Sequence, residues 1–384
     1  MNIGIVLYPT YGGSGVMATE LGKSLANKGH KVHFITYSHP VRLDGVHENI
    51  TYHEVRVSDY PLFDYQPYET VLASKMVDVV KYDKLDVLHV HYAIPHASAA
   101  LMARQILASE GIYVPFVTTL HGTDITLVGR SPSFEPVISY CLNESDAITA
   151  VSESLKQDTY EHFKTDREIN VIPNFVKCLG NLNDDNSAVR ARYANEDELI
   201  LCHISNFRKV KRVGDVLEVF ARVNANKPGK LLFVGDGPER YAMEQKCRDM
   251  DLCDRVIFLG KIRDTDQVLK ISDLFLLPSE TESFGLAALE AMAVGVPVIS
   301  SNTGGIPEVN NHGETGFLSN VGDLEDMANN ALKILSSPDI MKGFKERALR
   351  RANEFSVESV LEQYVALYED VVKQKSPRKT AGIL

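Results

Sequence analysis

The sequence predicts an α/β protein made of two doubly wound domains that face each other across a cleft. Three observations lead there. Apolar runs of strand length alternate with helical periods, the mark of parallel strands covered by helices on both faces. The alternation is interrupted once, by a polar stretch rich in Asn and Asp, and then starts again. The chain has 384 residues, too many for one ordinary domain and comfortable for two of roughly 150 to 200.

Taken in order, NIGIVLY is the first strand run, and a glycine turn leads from it into the helix VMATELGKSLANKG. KVHFITY is the second strand, and LDVLHVHY, YVPFVTTLHG, DAITAVS and INVIPNF continue the series. The segment CLGNLNDDNSAVRARYANEDE, from Cys178 to Glu198, reads as a linker or surface excursion, which places the boundary near 175 to 200. ELILCHIS opens the second series. RVGDVLEVFARVNA is an amphipathic helix, KLLFVGDGP a strand running into a glycine turn, and RVIFLG, DLFLLPS, PVISS and GFLS are further strands. SVESVLEQYVALYEDVVKQ is the last helix. The tail KSPRKTAGIL carries helix breakers and no apolar face, so it is expected to fray.

Composition narrows the function. Hydrophobic residues make up 44% and charged residues 24%, the profile of a soluble globular protein with full cores. The net charge of −11 repels phosphate polymers and anionic lipid. Neither nucleic acid nor membrane is therefore an expected partner, and an anionic ligand needs a local basic patch. The five cysteines are odd in number and show no C-x-x-C spacing, so reduced thiols in a cytoplasmic protein are expected rather than disulfides or structural zinc. The opening residues enter a strand at once, without the basic and apolar regions of a signal peptide, and no apolar run reaches membrane-spanning length.

In open α/β sheets ligands bind beyond the carboxyl ends of the strands, and the chemistry-bearing motifs fall in those loops. Gly12-Gly13-Ser14-Gly15 follows the first strand. It is either an ordinary tight turn or a close backbone approach to a ligand, with a helix N-terminus behind it. It does not meet the dinucleotide fingerprint. His121, in Leu120-His121-Gly122-Thr123-Asp124, either caps a strand end or reaches a polar substrate. His89 and His91 share a strand face, but no carboxylate or cysteine follows them at ligand spacing. Arg208-Lys209-Val210-Lys211-Arg212 places four cations where an α/β domain receives phosphate; a solvated charge run is the alternative. Gly235-Asp236-Gly237-Pro238 is a turn signature, and Gly304-Gly305 loosens backbone at another strand end. In TESFGLAALE, the amides of Phe284, Gly285 and Leu286 open a helix and form an anion site, flanked by Glu282 and Glu290. Amides for phosphate and carboxylates for hydroxyls describe a sugar nucleotide. A helix cap at Glu282 and a solvated Glu290 are the bland alternative.

Together these features resemble the retaining GT-B glycosyltransferases of family 4, over nearly the whole chain. The resemblance rests on a Gly-rich first loop, a following His, a basic Lys/Arg loop and an E-x7-E element in that order. It implies two Rossmann-like domains. Glu282 would hold donor-sugar hydroxyls, Glu290 the ribose, and Lys211 the diphosphate, with His121 beside the donor sugar. The same resemblance brings Gly13, Gly15, Asn206, Arg208, Gly237, Ile262, Ser283, Phe284, Gly285 and Leu286 to the donor. One departure stands out. The family pattern has Arg five residues before the Lys, where this chain has Asn206, and Arg208 is displaced by two.

HVHYAIPHA, TTLHGTDIT, SNFRKVKRV and ESFGLAALEAMA are closest to the members that transfer N-acetylglucosamine from UDP-GlcNAc to L-malate, the first step of bacillithiol synthesis. On that resemblance the substrates are UDP-GlcNAc and L-malate, with retention at the anomeric carbon and no metal or other cofactor. Malate would be held by Ser14, Tyr92, Thr119, Arg130 and Asn174. Residues 1–175 would form the acceptor domain and 176–355 the nucleotide-sugar domain. Residues 356–374 would be a helix crossing back to the first domain, and 375–384 a tail. The D-x-D pairs Asp249/Asp251 and Asp264/Asp266 lie in surface-like segments and read as coincidence. Another family 4 acceptor and a UDP-GlcNAc epimerase are the rival readings. The sequence is compatible with a homo-oligomer.

Overall fold

The computed structural model describes residues 1–10, 12–57, 66–129, 131–177 and 185–374. The chain divides into two compact units. One comprises Met1–Asn174 with Val357–Leu384, the other Phe175–Ser356.

The first unit is built on seven parallel strands: β1 (Asn2–Val6), β2 (Lys31–Thr36), β3 (Ile50–Glu54), β4 (Val87–His91), β5 (Phe116–Leu120), β6 (Ala147–Ala150) and β7 (Ile169–Val171). Their order is β3-β2-β1-β4-β5-β6-β7. Every residue of β4, β5 and β6 is buried, which is why these strands read as continuous apolar runs rather than alternating ones. β3 escapes the sequence reading. It is an edge strand, half exposed, and its ITYHE carries too few apolar residues to stand out.

The helices of this unit are α1 (Gly13–Asn27), α2 (Tyr68–Asp83), α3 (Ser98–Ser109), α4 (Glu135–Glu144) and α5 (Glu153–His162). α2 and α3 seal one face of the sheet through Leu72, Met76, Val80, Leu101 and Leu107, against Leu88, Val90 and Phe116. Burying each such side chain contributes about 1.5–3 kcal/mol.

The second unit holds six parallel strands in the order β10-β9-β8-β11-β12-β13. They are β8 (Leu199–Ile204), β9 (Gly229–Val234), β10 (Val256–Gly260), β11 (Leu274–Leu277), β12 (Val298–Ser301) and β13 (Gly316–Ser319). Around them run α6 (Ser187–Arg190), α7 (Val213–Asn224), α8 (Arg240–Asp249), α9 (Asp266–Lys270), α10 (Leu286–Ala293), α11 (Leu324–Ile334) and α12 (Pro338–Asn353). The apolar face of α7, with Val216, Leu217, Phe220 and Val223, fills the core beside Leu231, Phe233 and Leu276. The chain enters and leaves this unit side by side: Val176 bridges Ser356, and its amide donates to the Phe355 carbonyl at 3.0 Å.

The last helix, α13 (Val357–Lys373), belongs to the first unit and packs on α1 and β4. Tail residues 375–384, Arg130, and 178–184 of the Asn/Asp-rich segment lie outside the described residues. Among the described residues no helix is long and apolar enough to cross a membrane.

Each sheet reverses its winding once, between β1 and β4 in the first unit and between β8 and β11 in the second. Such reversals open a crevice at the carboxyl ends of the strands. The loops after β1, β4, β8 and β11 carry four of the motifs singled out above, and the loops after β5, β9 and β12 carry the others.

Candidate active site

In the second unit the basic loop leaves β8 and forms one tight helical turn, Lys209–Lys211. Arg212 follows in a left-handed conformation and redirects the chain into α7. The turn aims Lys211 at Glu282, and the two form an ion pair. Ser279 donates a hydroxyl hydrogen bond to the same Glu282 oxygen at 3.0 Å. Arg212 is committed to Asp215 at 2.6 Å, while Arg208 is exposed and has no ion pair among the described residues. Asn206 is exposed as well. Beneath the turn, His203 bridges the Leu276 carbonyl and Ser205 Oγ, both at 2.8 Å. Burial, assisted by the nearby Lys211 charge, pushes its imidazole down to about 4.

The loop after β11 ends at Gly285, which has φ 95° and starts α10 without a side-chain cap. A first helical turn carries backbone donors with no partner inside the helix. Phe284 is buried with its ring edge-on to Phe355 at 5.8 Å, so only its backbone is offered to a ligand. Leu286 and Glu290 are half-buried on α10. The loop is held in place by its neighbour: the Gly305 amide donates to the Glu282 carbonyl at 2.9 Å. Gly304 has φ 53°, and a Cβ on it would lie 2.0 Å from that carbonyl. Gly237 joins the loops after β8 and β9 in the same manner, since its Cβ would lie 2.0 Å from the Asn206 carbonyl. Ser283 and Ile262 are half-buried in the loops after β11 and β10. Asp264 accepts from the Asp266 amide and from Gln267, a local turn role for that D-x-D pair.

In the first unit Gly12 leads into α1, with Gly13 exposed and Gly15 buried at its start. Ser14 Oγ and Tyr92 OH hydrogen bond at 2.5 Å, which joins the loops after β1 and β4. The Tyr92 ring meets Tyr8 edge-on at 5.4 Å and His121 at 5.2 Å. His121 Nε2 pairs with His91 Nδ1 at 2.8 Å. His96 Nδ1 donates to the His91 carbonyl, which leaves its buried Nε2 bare. His91 Nε2 is buried and unpartnered too. An orphaned lone pair there costs less than an orphaned N–H, so the His91 proton belongs on Nδ1 and is donated to His121. The His121 proton then sits on Nδ1. Burial holds all these rings neutral: His121 is pushed down to about 3, His96 to about 4, and His91 well below its ordinary value.

Asp124 fastens the loops after β4 and β5. Its buried carboxylate accepts from the amides of Ala93 at 2.8 Å, Gly122 at 3.1 Å and His121 at 3.4 Å. Burial nevertheless raises it to about 6. Asp124, Tyr8 and His96 all stand in stretches quoted from the sequence, but nothing there gives any of them a role. The spacing H-G-T-D was the one available signal, because a side chain three residues on reaches back to loop amides.

One acceptor assignment needs correction. Thr119 is fully buried, and its hydroxyl hydrogen bonds with His89 Nε2 and with Thr149, each at 2.6 Å. It belongs to the sheet's polar interior and presents nothing to a ligand. His89 continues the chain through Nδ1 to Tyr368 of α13 at 2.7 Å. Asn174 is half-buried at the end of the unit's first span, and Arg130 lies outside the described residues.

Two doubly wound parallel sheets, one carrying a basic loop against an E-x7-E element, define a glycosyltransferase of GT-B build. The family model "Glycosyltransferase Family 4" matches residues 11–178, and "Glycosyl transferases group 1" matches 185–351. The chain is 47% identical to N-acetyl-alpha-D-glucosaminyl L-malate synthase of Bacillus anthracis over 97% of its own length and 98% of that protein. It belongs to this glycosyltransferase family. Solved structures share the fold. A sucrose-phosphate synthase from Thermosynechococcus elongatus superposes with a TM-score of 0.79 at 21% identity, covering 97% of this chain and 99% of that one. An Anabaena protein, HepE, solved with UDP and glucose, gives 0.78 at 20% identity, covering 96% and 100%.

Proposed function

We propose that this protein moves N-acetylglucosamine from UDP-GlcNAc to the hydroxyl of L-malate, with retention, releasing UDP. The likeness over nearly the full length of the malate synthase supports the substrates. The observation that carries the chemistry is the Lys211–Glu282 pair, set at the point where the second sheet reverses. The pair orients both side chains before a ligand arrives.

As the glycosidic bond loosens, negative charge gathers on the leaving diphosphate. Lys211, the uncommitted Arg208 and the first amides of α10 stabilise it where it develops. Arg208 thus supplies the charge that Asn206 lacks. Glu282 accepts from sugar hydroxyls and Glu290 from the ribose. Glu282 is already engaged by Lys211 and Ser279, which suits a hydroxyl binder better than a nucleophile. Attack therefore proceeds on the face of the departing phosphate, whose oxygen takes the malate proton. Ser14, Tyr92, Asn174 and Arg130 hold the malate carboxylates, and neutral His121 offers its Nδ1–H to the donor sugar. No step requires a metal ion, so full activity is expected in EDTA.

Incubating the protein with UDP-GlcNAc, with and without L-malate, tests this reading. UDP should appear only with malate, alongside an α-linked product by NMR. UDP release or epimerisation without malate points to the epimerase, and turnover only with another acceptor removes malate.

A further inference from the structure

A second cluster of chemistry-bearing side chains lies in the first unit, away from the loops at the sheet reversal. His33 is the third residue of β2 and His53 the fourth of β3. In the parallel register His33 stands opposite Thr51, and His53 is two residues further along. Both imidazoles therefore project from the same face of the sheet. Asp83, the last residue of α2, reaches them there.

The facing atoms form a small triangle. His33 Nδ1 and His53 Nε2 are 3.0 Å apart. The Asp83 carboxylate lies 3.9 Å from the first and 3.8 Å from the second. Those last two distances exceed a hydrogen bond, so the carboxylate points between the rings without bonding to either. An ion bound tetrahedrally at about 2.0–2.2 Å needs ligand atoms about 3.4 Å apart. Shifts of a few tenths of an ångström convert one arrangement into the other. Asp83 is also held from behind: Asn2 Nδ2 donates to the carbonyls of Asp83 and Lys84, both at 3.1 Å.

We propose that His33, His53 and Asp83 form a binding site for one divalent transition-metal ion, with zinc the ion best matched by two imidazoles and a carboxylate. Magnesium and calcium prefer all-oxygen sites and are poor matches. Metal binding takes both facing nitrogens as lone pairs, so the ring that now donates across the 3.0 Å hydrogen bond moves its proton to its other nitrogen. His33 is buried while His53 and Asp83 are partly exposed, which leaves water the fourth position and gives the ion a way in. The bound ion ties the edge strand β3 and the end of α2 to β2. Its role is structural, since the candidate active-site side chains follow β1, β4 and β5 instead.

The test uses the full chain, stripped with a chelator and titrated with zinc chloride alone by calorimetry, with metal content measured after dialysis. The intact protein should hold one equivalent and melt at a higher temperature with zinc. His53→Ala and Asp83→Asn should each weaken binding at least about tenfold and abolish the rise in melting temperature. His162→Ala serves as the control. It breaks the other metal-competent group, Asp158/Glu161/His162, and should leave zinc binding unchanged. A second readout guards against misfolded variants: cobalt(II) bound to the intact protein should show tetrahedral ligand-field bands that Asp83→Asn removes. The proposal is overturned if the intact protein binds no zinc at micromolar concentration. Equal binding by the intact protein and His53→Ala, or loss with His162→Ala, overturns it as well.

Discussion

Lys211 and Glu282 lie 71 residues apart in sequence and meet as an ion pair. Each is legible alone, Lys211 as part of a basic loop and Glu282 as the head of E-x7-E. Their pairing is not, because neither local period nor spacing encodes a contact between loops after different strands. The same holds for Thr119, which sequence position offers to a ligand and the β5–β6 register buries against Thr149. In the proposed mechanism Lys211 stabilises charge only as the diphosphate departs, so its loss should fall on turnover. Lys211→Ala should lower kcat by the factor that about 2–4 kcal/mol represents, with a smaller change in melting temperature. Steady-state kinetics with UDP-GlcNAc and malate give the number, and an unchanged kcat removes the assigned role.

Elements position these residues through their ends. Every strand-loop-helix junction that carries a motif was readable, since apolar runs ending in Gly, Ser or basic residues mark where a strand stops. The bracing between neighbouring loops was not. Gly304 is the clearest case: its φ of 53° and the 2.0 Å from a built Cβ to the Glu282 carbonyl leave no room for a side chain. Gly304→Ala should therefore destabilise the fold by more than about 1 kcal/mol and displace Glu282. Activity should fall further than the loss of folded protein explains, as comparison of residual activity with circular dichroism at the same temperature will show. α13 offers a parallel case. Its amphipathic pattern marks a helix but not a partner, and Tyr368 finds His89 across 279 residues. Tyr368→Phe keeps the ring and leaves His89 Nδ1 buried without its hydroxyl. The expected cost is about 1–3 kcal/mol, read as a lower denaturation midpoint in urea.

Over the whole molecule, the double series of strands and helices was legible because each unit encloses its own core. The charge state of those interiors was hidden, since it depends on which polar groups the fold buries. Among the described residues, five histidines are pushed far below their ordinary value by burial: His89 to about 3, His96 to about 4, His121 to about 3, His203 to about 4, and His91 well below it. An unfolded imidazole titrates near about 6.5. Below that pH the unfolded chain takes up protons that the folded chain refuses. The stability these rings contribute is complete above pH 6.5 and is lost as the pH falls toward their folded values. Asp124 works in the opposite direction. Its folded value of about 6 lies above the ordinary carboxylate range, so its contribution is complete below about pH 4 and is lost as the pH rises through 6. One carboxyl offsets at most one of the five imidazoles. The melting temperature should therefore drop steadily from pH 7 to pH 5, before most surface carboxylates begin to titrate. A profile flat over that interval would mean that the buried rings are not neutral, and with it would go the tautomer assigned to His121.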